Sequence, residues 1–190
     1  MHGLPNTLTI LRILLVPLFV ASFLFGETGR LVAFAVFCVA GISDALDGFA
    51  ARKLGAGSDF GRMLDPIADK ILVAVALMML VWKDALGDAL GGYTLIPALV
   101  ILSREILVSG LREFLAGADV SVPVTRIAKA KTAMQMVAIG AMILGPIVER
   151  VWAGAMTAAY VLLWLAAALT VYTGYAYLRT GLNHVRPART

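Results

Sequence analysis

The chain has 190 residues, 61% of them hydrophobic and 15% charged, and a mean hydropathy of +0.90. An ordinary soluble domain carries roughly 25% charged residues, so a chain of this size has too few polar groups to coat its surface; a water-solvated globule, a disordered chain and a collagen-like chain are excluded. The net charge of +4 comes from Lys and Arg spread along the chain, which excludes a nucleic-acid-binding module as well.

Apolar runs near 20 residues, the length that crosses a ~30 Å hydrocarbon core, predict six helical spans. They cover roughly residues 9–25, 31–52, 62–82, 93–115, 130–148 and 151–178. The first run has no A-x-A-like cleavage site and carries Arg12 near its start, so it reads as a retained helix. Between the runs lie clusters with turn chemistry: Gly26-Glu27-Thr28-Gly29, residues 55–59, residues 83–92, Gly117-Ala118-Asp119 with Pro123, and Gly145-Pro146. Cys38 is the single cysteine, so there is no disulfide framework and no thiolate metal site. The expected architecture is all-α: a polytopic membrane protein with a six-transmembrane-helix bundle, one domain over residues 1–190.

An even number of spans puts both termini on one side. The loops after the first, third and fifth spans hold only Arg30, Lys83 and Arg150, whereas Arg52, Lys53, Arg62, Arg126, Lys129, Lys131, Arg179, Arg186 and Arg189 fall at the other loops and the tail. By the positive-inside rule that side, with both termini, is cytoplasmic. Contact with anionic lipid headgroups accounts for part of the basic excess.

Carboxylates near a membrane are the feature that composition does not explain. Asp44 and Asp47 are three apart near the end of the second span, and Asp65 and Asp69 are four apart at the start of the third, so each pair shares a helix face. A short Gly-rich connection makes the two helices antiparallel neighbours, and all four acids can converge just inside one leaflet. Bare carboxylates there would repel one another or protonate. Two divalent cations would balance them, and with His2 and His184 far away at the chain ends a hard ion, Mg²⁺ or Mn²⁺, is favoured over Zn²⁺. Gly48 and Gly61 strip the surrounding helix faces of bulk, and Arg52 is a fork-shaped donor suited to phosphate oxygens. Such a set suits a diphosphate headgroup. Capping and surface solvation are the simpler explanation for the acids, and topology alone for Arg52.

The pattern D-x2-D-G-x2-A-R-x8-G-x3-D-x3-D is met at every fixed position by Asp44, Asp47, Gly48, Ala51, Arg52, Gly61, Asp65 and Asp69. It resembles the signature of the CDP-alcohol phosphatidyltransferase family. The resemblance implies metal-dependent transfer of a phosphatidyl group from CDP-diacylglycerol to an alcohol, with CMP as product. Asp44, Asp47 and Asp65 would then be metal ligands, and Asp69 would complete the metal site and act as general base. Gly48, Arg52 and Gly61 would contact the CDP moiety.

Residues 103–114 (SREILVSGLREF), 129–135 (KAKTAMQ) and 5–12 (PNTLTILR) are similar to segments of bacterial phosphatidylglycerophosphate synthases. That likeness implies glycerol 3-phosphate as acceptor, with Arg112, Lys129 and Lys131 as a cationic phosphate pocket and Asn6 and Thr9 as further pocket residues. It also suggests a homodimer in the cytoplasmic membrane. Any cytoplasmic loop is expected to be basic, and Asn6 and Thr9 equally suit a helix start. The signature covers only the shared CDP half, so inositol phosphate, serine and phosphatidylglycerol stay open as acceptors. A cation transporter would need polar residues continuing toward the other leaflet, and an intramembrane prenyltransferase two separated acidic clusters; neither pattern is seen. Arg104 and Glu105 near mid-span point either to a buried ion pair or to a substrate pocket.

Overall fold

The computed structural model describes residues 4–54, 59–87, 92–117 and 126–185, with side chains for 9–43, 64, 66–83, 93–117, 127–179 and 181. Among the described residues six α-helices follow one another: α1 (Leu4–Ser22), α2 (Gly26–Leu54), α3 (Asp59–Gly87), α4 (Gly92–Gly117), α5 (Arg126–Val148) and α6 (Ala155–Val185). A single 3-10 turn, Phe23–Phe25, joins the first two, and no strand occurs among the described residues. Among the described residues four stretches are long and apolar enough to cross a membrane: Thr9–Ser43, Tyr93–Gly117, Ile127–Val148 and Ala155–Arg179. The chain is a multi-pass membrane protein.

The 35-residue stretch Thr9–Ser43 is not one helix. Its chain reverses at Gly26, whose φ of 63° is a left-handed backbone that glycine adopts without strain. The rings of Phe19 and Phe37 come within 6.3 Å of each other, centroid to centroid, although a continuous helix would hold them about 27 Å apart at 1.5 Å per residue. A Cβ on Gly29 would press on the Ser22 carbonyl oxygen, so the arms of this hairpin approach backbone to backbone. Small residues at such contacts matter because lipid is as apolar as leucine, and helices in it associate through close packing rather than through release of water.

The same logic explains the interior and the exterior. Ala33, Ala40, Ala76, Ala138 and Ala166 are buried among Phe19, Leu77, Ile101, Ile139, Ile143 and Leu163. Leu14, Leu24, Phe25, Met78, Ile106, Val151 and Trp152 are exposed, a surface suited to acyl chains. Helix α6 packs along α4 and α5, α1 along α2 and α3, and α2 along α5. Among the described residues α3 touches α2 only lightly. The expected neighbouring of their acidic ends falls where side chains lie outside the described residues.

The Gly145-Pro146 pair, read above as a break, lies inside α5, which runs on to Val148. Proline is tolerated there because neighbouring groups and local adjustments satisfy the freed carbonyl. Reversal occurs instead at residues 149–154. The Gly154 and Met156 amides donate to Glu149 Oε1 and Oε2 at 2.8 and 2.6 Å, so one carboxylate satisfies two of the first amides of α6. These bonds, from Met156 first, then Gly154 and Ala155, hold the Glu149 carboxyl below the usual glutamate range. A carboxyl whose folded pKa is depressed stabilises the fold fully above its unfolded pKa and loses that contribution as pH falls through the folded value. Thermal melting in detergent is therefore expected to show a loss below the ordinary glutamate pKa that is absent in Glu149→Gln.

Arg150 at this turn pairs with Glu27 at the start of α2, and Arg30 donates to the Ile143 carbonyl at 3.3 Å. One end of the bundle thus gathers the C-terminus of α5 and the N-termini of α2 and α6. The opposite end holds the early part of α1 and the late part of α6, together with the cavity described next.

Candidate functional site

Helical periodicity sets four stripes around one cavity of about 460 Å³. Pro66, Asp69, Lys70 and Val73 come from α3; Arg104, Glu105, Val108 and Arg112 from α4; Lys131, Thr132, Gln135 and Met136 from α5; Tyr177 from α6. Steps of three and four residues keep each stripe on one helix face. Gly41 of α2 closes the wall, where a Cβ would come 2.8 Å from the Met136 methyl.

Among the described residues four basic side chains (Lys70, Arg104, Arg112, Lys131) and two acidic ones (Asp69, Glu105) line the cavity. A basic excess in a concavity with apolar walls focuses a field that attracts anions. The charges are organised around Glu105. Its Oε1 accepts from Lys131 Nζ and lies 3.4 Å from Arg104 Nη1. The Lys131 side chain is 5% exposed, a depth at which an ammonium needs a paired anion.

Arg104 is also seated by α6. Its Nη2 donates to Thr173 Oγ1 at 3.2 Å, its guanidinium carbon is 5.9 Å from the Tyr177 ring centroid, and a Cβ on Gly174 would come 2.9 Å from its Cγ. An arginine packed between a hydroxyl, a ring and a bare glycine is held in one orientation. Arg104 and Glu105 are thus an ion pair, and both line the cavity.

Asp69 faces the same cavity with 48% of its side chain exposed, and its Oδ1 accepts from Arg12 Nη1 at 2.8 Å. Arg12 is fully buried and reaches across from α1. The cavity therefore brings together Asp69, Arg112 and Lys131 from three helices. Lys129 is exposed and not part of this wall; two residues from Lys131 is about 200° around a helix. Thr9 is buried on α1 and is not among the lining residues. Asn6 is on the first turns of α1, Asp44, Asp47, Gly48 and Arg52 on α2, and Gly61 and Asp65 on α3. Side chains at these seven positions lie outside the described residues.

Sequence reasoning did not assign Arg12 as the partner of Asp69, nor Lys70, Gln135 and Tyr177 as lining residues. Their one available signal was polarity within an apolar run, which marks a residue as inward-facing without naming its partner.

Comparison with known proteins follows the same lines. The family model for CDP-alcohol phosphatidyltransferase matches residues 2–172. A Rickettsia felis protein named CDP-diacylglycerol--glycerol-3-phosphate 3-phosphatidyltransferase is 44% identical over 182 residues, covering 93% of this chain and 94% of its own length. Proteins of the same name from Pseudomonas fluorescens and Escherichia coli K12 are each 37% identical. The first covers 97% of this chain and 92% of the relative, the second 93% of both.

Proposed function

The chain belongs to the CDP-alcohol phosphatidyltransferase family, and we propose that it transfers the phosphatidyl group of CDP-diacylglycerol to glycerol 3-phosphate, giving phosphatidylglycerophosphate and CMP. The observation that carries this reading is the meeting of Asp69, the last acid of the signature, with Arg112 and Lys131 in one cavity. A proton acceptor and a phosphate-binding pair on facing walls suit an acceptor that is at once an alcohol and a phosphate monoester. The relatives named above carry that activity in their names.

Asp44, Asp47, Asp65 and Asp69 would hold two Mg²⁺ or Mn²⁺ ions. Asp69 suits that role, since it presents a half-exposed carboxylate with one oxygen fixed by Arg12, and an all-oxygen donor set favours hard cations. Bound there, the ions would neutralise the diphosphate and the charge building on phosphorus. Arg52, with the bare backbone at Gly48 and Gly61, binds the CDP moiety. Arg112 and Lys131 hold the acceptor phosphate. The acceptor hydroxyl oxygen bonds to the phosphatidyl phosphorus, the bond from that phosphorus to the CMP oxygen breaks, and the hydroxyl proton passes to Asp69.

The remaining placement follows from charge. Six spans in one domain, both termini and the cavity on the cytoplasmic side of the inner membrane, accord with the distribution of Lys and Arg. The protein works as a homodimer, with α3 and α4 as contributors to the contact.

Purified protein with CDP-diacylglycerol, Mg²⁺ and a panel of acceptors tests the proposal by CMP release. Glycerol 3-phosphate is expected to support release; release with inositol phosphate, serine or phosphatidylglycerol but not with glycerol 3-phosphate would overturn it. Lys131→Ala and Arg112→Ala are each expected to raise KM for glycerol 3-phosphate by about tenfold or more, the worth of a charge-assisted hydrogen bond. KM for CDP-diacylglycerol should stay unchanged. An unaltered glycerol 3-phosphate KM in both variants would remove the phosphate pocket from this cavity.

A further inference from the structure

Several polar groups of the cavity are engaged with one another. Glu105 takes Lys131 and Arg104, Thr132 Oγ1 donates to the Ala128 carbonyl at 3.2 Å, and Tyr177 packs on Arg104. Two buried polar atoms of the wall, Arg104 Nε and Gln135 Oε1, are without a hydrogen-bond partner among the described residues; the rest of the Arg104 guanidinium is bonded to Glu105 and Thr173, which leaves Gln135 to be explained. Gln135 is 3% exposed, it lines the cavity, and no group among the described residues donates to its buried Oε1. On both sides it is flanked by Met134 and Met136, in a helix long and apolar enough to cross a membrane, where an amide is costly unless something pairs with it.

The chemistry of that oxygen selects its complement. An amide oxygen accepts hydrogen bonds and does not donate them, so it cannot bind a phosphate dianion, which also offers only acceptors. It can bind an O–H. Gln135 lies one turn beyond Lys131 on the same face of α5, about 6 Å along the helix axis, a step comparable with the reach of a three-carbon phosphate ester. Rotation about the last torsion of glutamine is broad, which lets the amide turn its oxygen to the cavity.

Resting on the function proposed above, we infer that Gln135 is the residue that reads the second hydroxyl of glycerol 3-phosphate, the one that does not react. The reacting hydroxyl faces Asp69, to which it gives its proton. With the phosphate on Lys131 and Arg112, the hydroxyl on the middle carbon is the remaining donor of the acceptor. Gln135 is therefore a specificity determinant, separating a polyol phosphate from a simple hydroxyalkyl phosphate.

The test compares glycerol 3-phosphate with 3-hydroxypropyl phosphate, which lacks only the middle hydroxyl, by CMP release from CDP-diacylglycerol. The wild-type protein is expected to favour glycerol 3-phosphate in kcat/KM by about tenfold or more, because a site built to bond a hydroxyl rejects an analogue without it. Gln135→Leu and Gln135→Met are expected to bring that ratio close to one by lowering the glycerol 3-phosphate value alone, with 3-hydroxypropyl phosphate held within about twofold. Neither variant should melt below the wild type, since replacing an unpaired buried acceptor by an apolar group leaves nothing newly unsatisfied. A ratio unmoved in either variant overturns the inference, and so does a wild-type ratio near one, which needs no variant. If the wild type releases no CMP with glycerol 3-phosphate, the proposed function itself fails and the inference with it, an outcome distinct from an active enzyme with an unmoved ratio.

Discussion

Replacing Asp69 by asparagine is expected to lower kcat for phosphatidyl transfer by about 10²–10⁴-fold, the usual worth of a positioned general base. Asparagine keeps the shape of the side chain and an oxygen for Arg12, but it cannot take up the hydroxyl proton. The loss should therefore fall on kcat, with KM for CDP-diacylglycerol little changed. A second consequence comes from the partner: Arg12 is fully buried, and its hydrogen bond to Asp69 Oδ1 at 2.8 Å then no longer joins opposite charges. A modest fall in melting temperature in detergent is expected beside the loss of rate. CMP release at saturating substrates decides the matter, and an Asp69→Asn enzyme within about tenfold of wild type would remove Asp69 from the role of base.

Glu105→Leu is the substitution expected to cost most in stability. One carboxylate serves two cations, and removing it leaves the Lys131 ammonium and the Arg104 guanidinium without their anion in a buried setting. Breaking one partner out of a buried pair costs about 3–5 kcal/mol, which for a chain of this size corresponds to a fall in apparent melting temperature on the order of 10 °C. The double variant Glu105→Leu with Lys131→Met should recover part of that loss, because it removes one of the two stranded cations while Arg104 stays without its anion. Its phosphate binding should stay impaired, since Lys131 is gone. Wild-type melting in Glu105→Leu would show that the pair carries no stability.

Several elements could be read directly from the residues. Runs of about 20 apolar residues marked the four stretches that are long and apolar enough to cross a membrane among the described residues, since span length is set by bilayer thickness and not by tertiary contacts. Boundaries were less legible where a proline stood: Gly145-Pro146 looked like an end, yet α5 continues to Val148, because a membrane-spanning helix can accommodate proline when its neighbours satisfy the freed carbonyl. Arg104 and Glu105 were legible as inward-facing charges, but not as partners of Lys131, which follows Glu105 by 26 residues. Lys129 and Lys131 read alike as basic residues of one loop, whereas α5 extends back to Arg126 and its turn sends them to nearly opposite sides.

Composition alone determined the solvent of this protein: with 15% charged residues in 190 it stands in lipid, where only helices and closed barrels satisfy their own backbone, and apolar runs near 20 residues select the helices. The spacing of Asp44, Asp47, Gly48, Arg52, Gly61, Asp65 and Asp69 likewise carried the family, because short-range helical geometry fixes which neighbours share a face. Only the tertiary structure decided that Asp69, Arg112, Lys131 and Gln135 line one cavity, that Arg12 holds Asp69, and that Glu105 joins two cations. The reason is physical. Periodicity tells which residues of one helix point the same way, but the rotation of each helix about its axis is set by packing against its neighbours, and that is a property of the whole bundle.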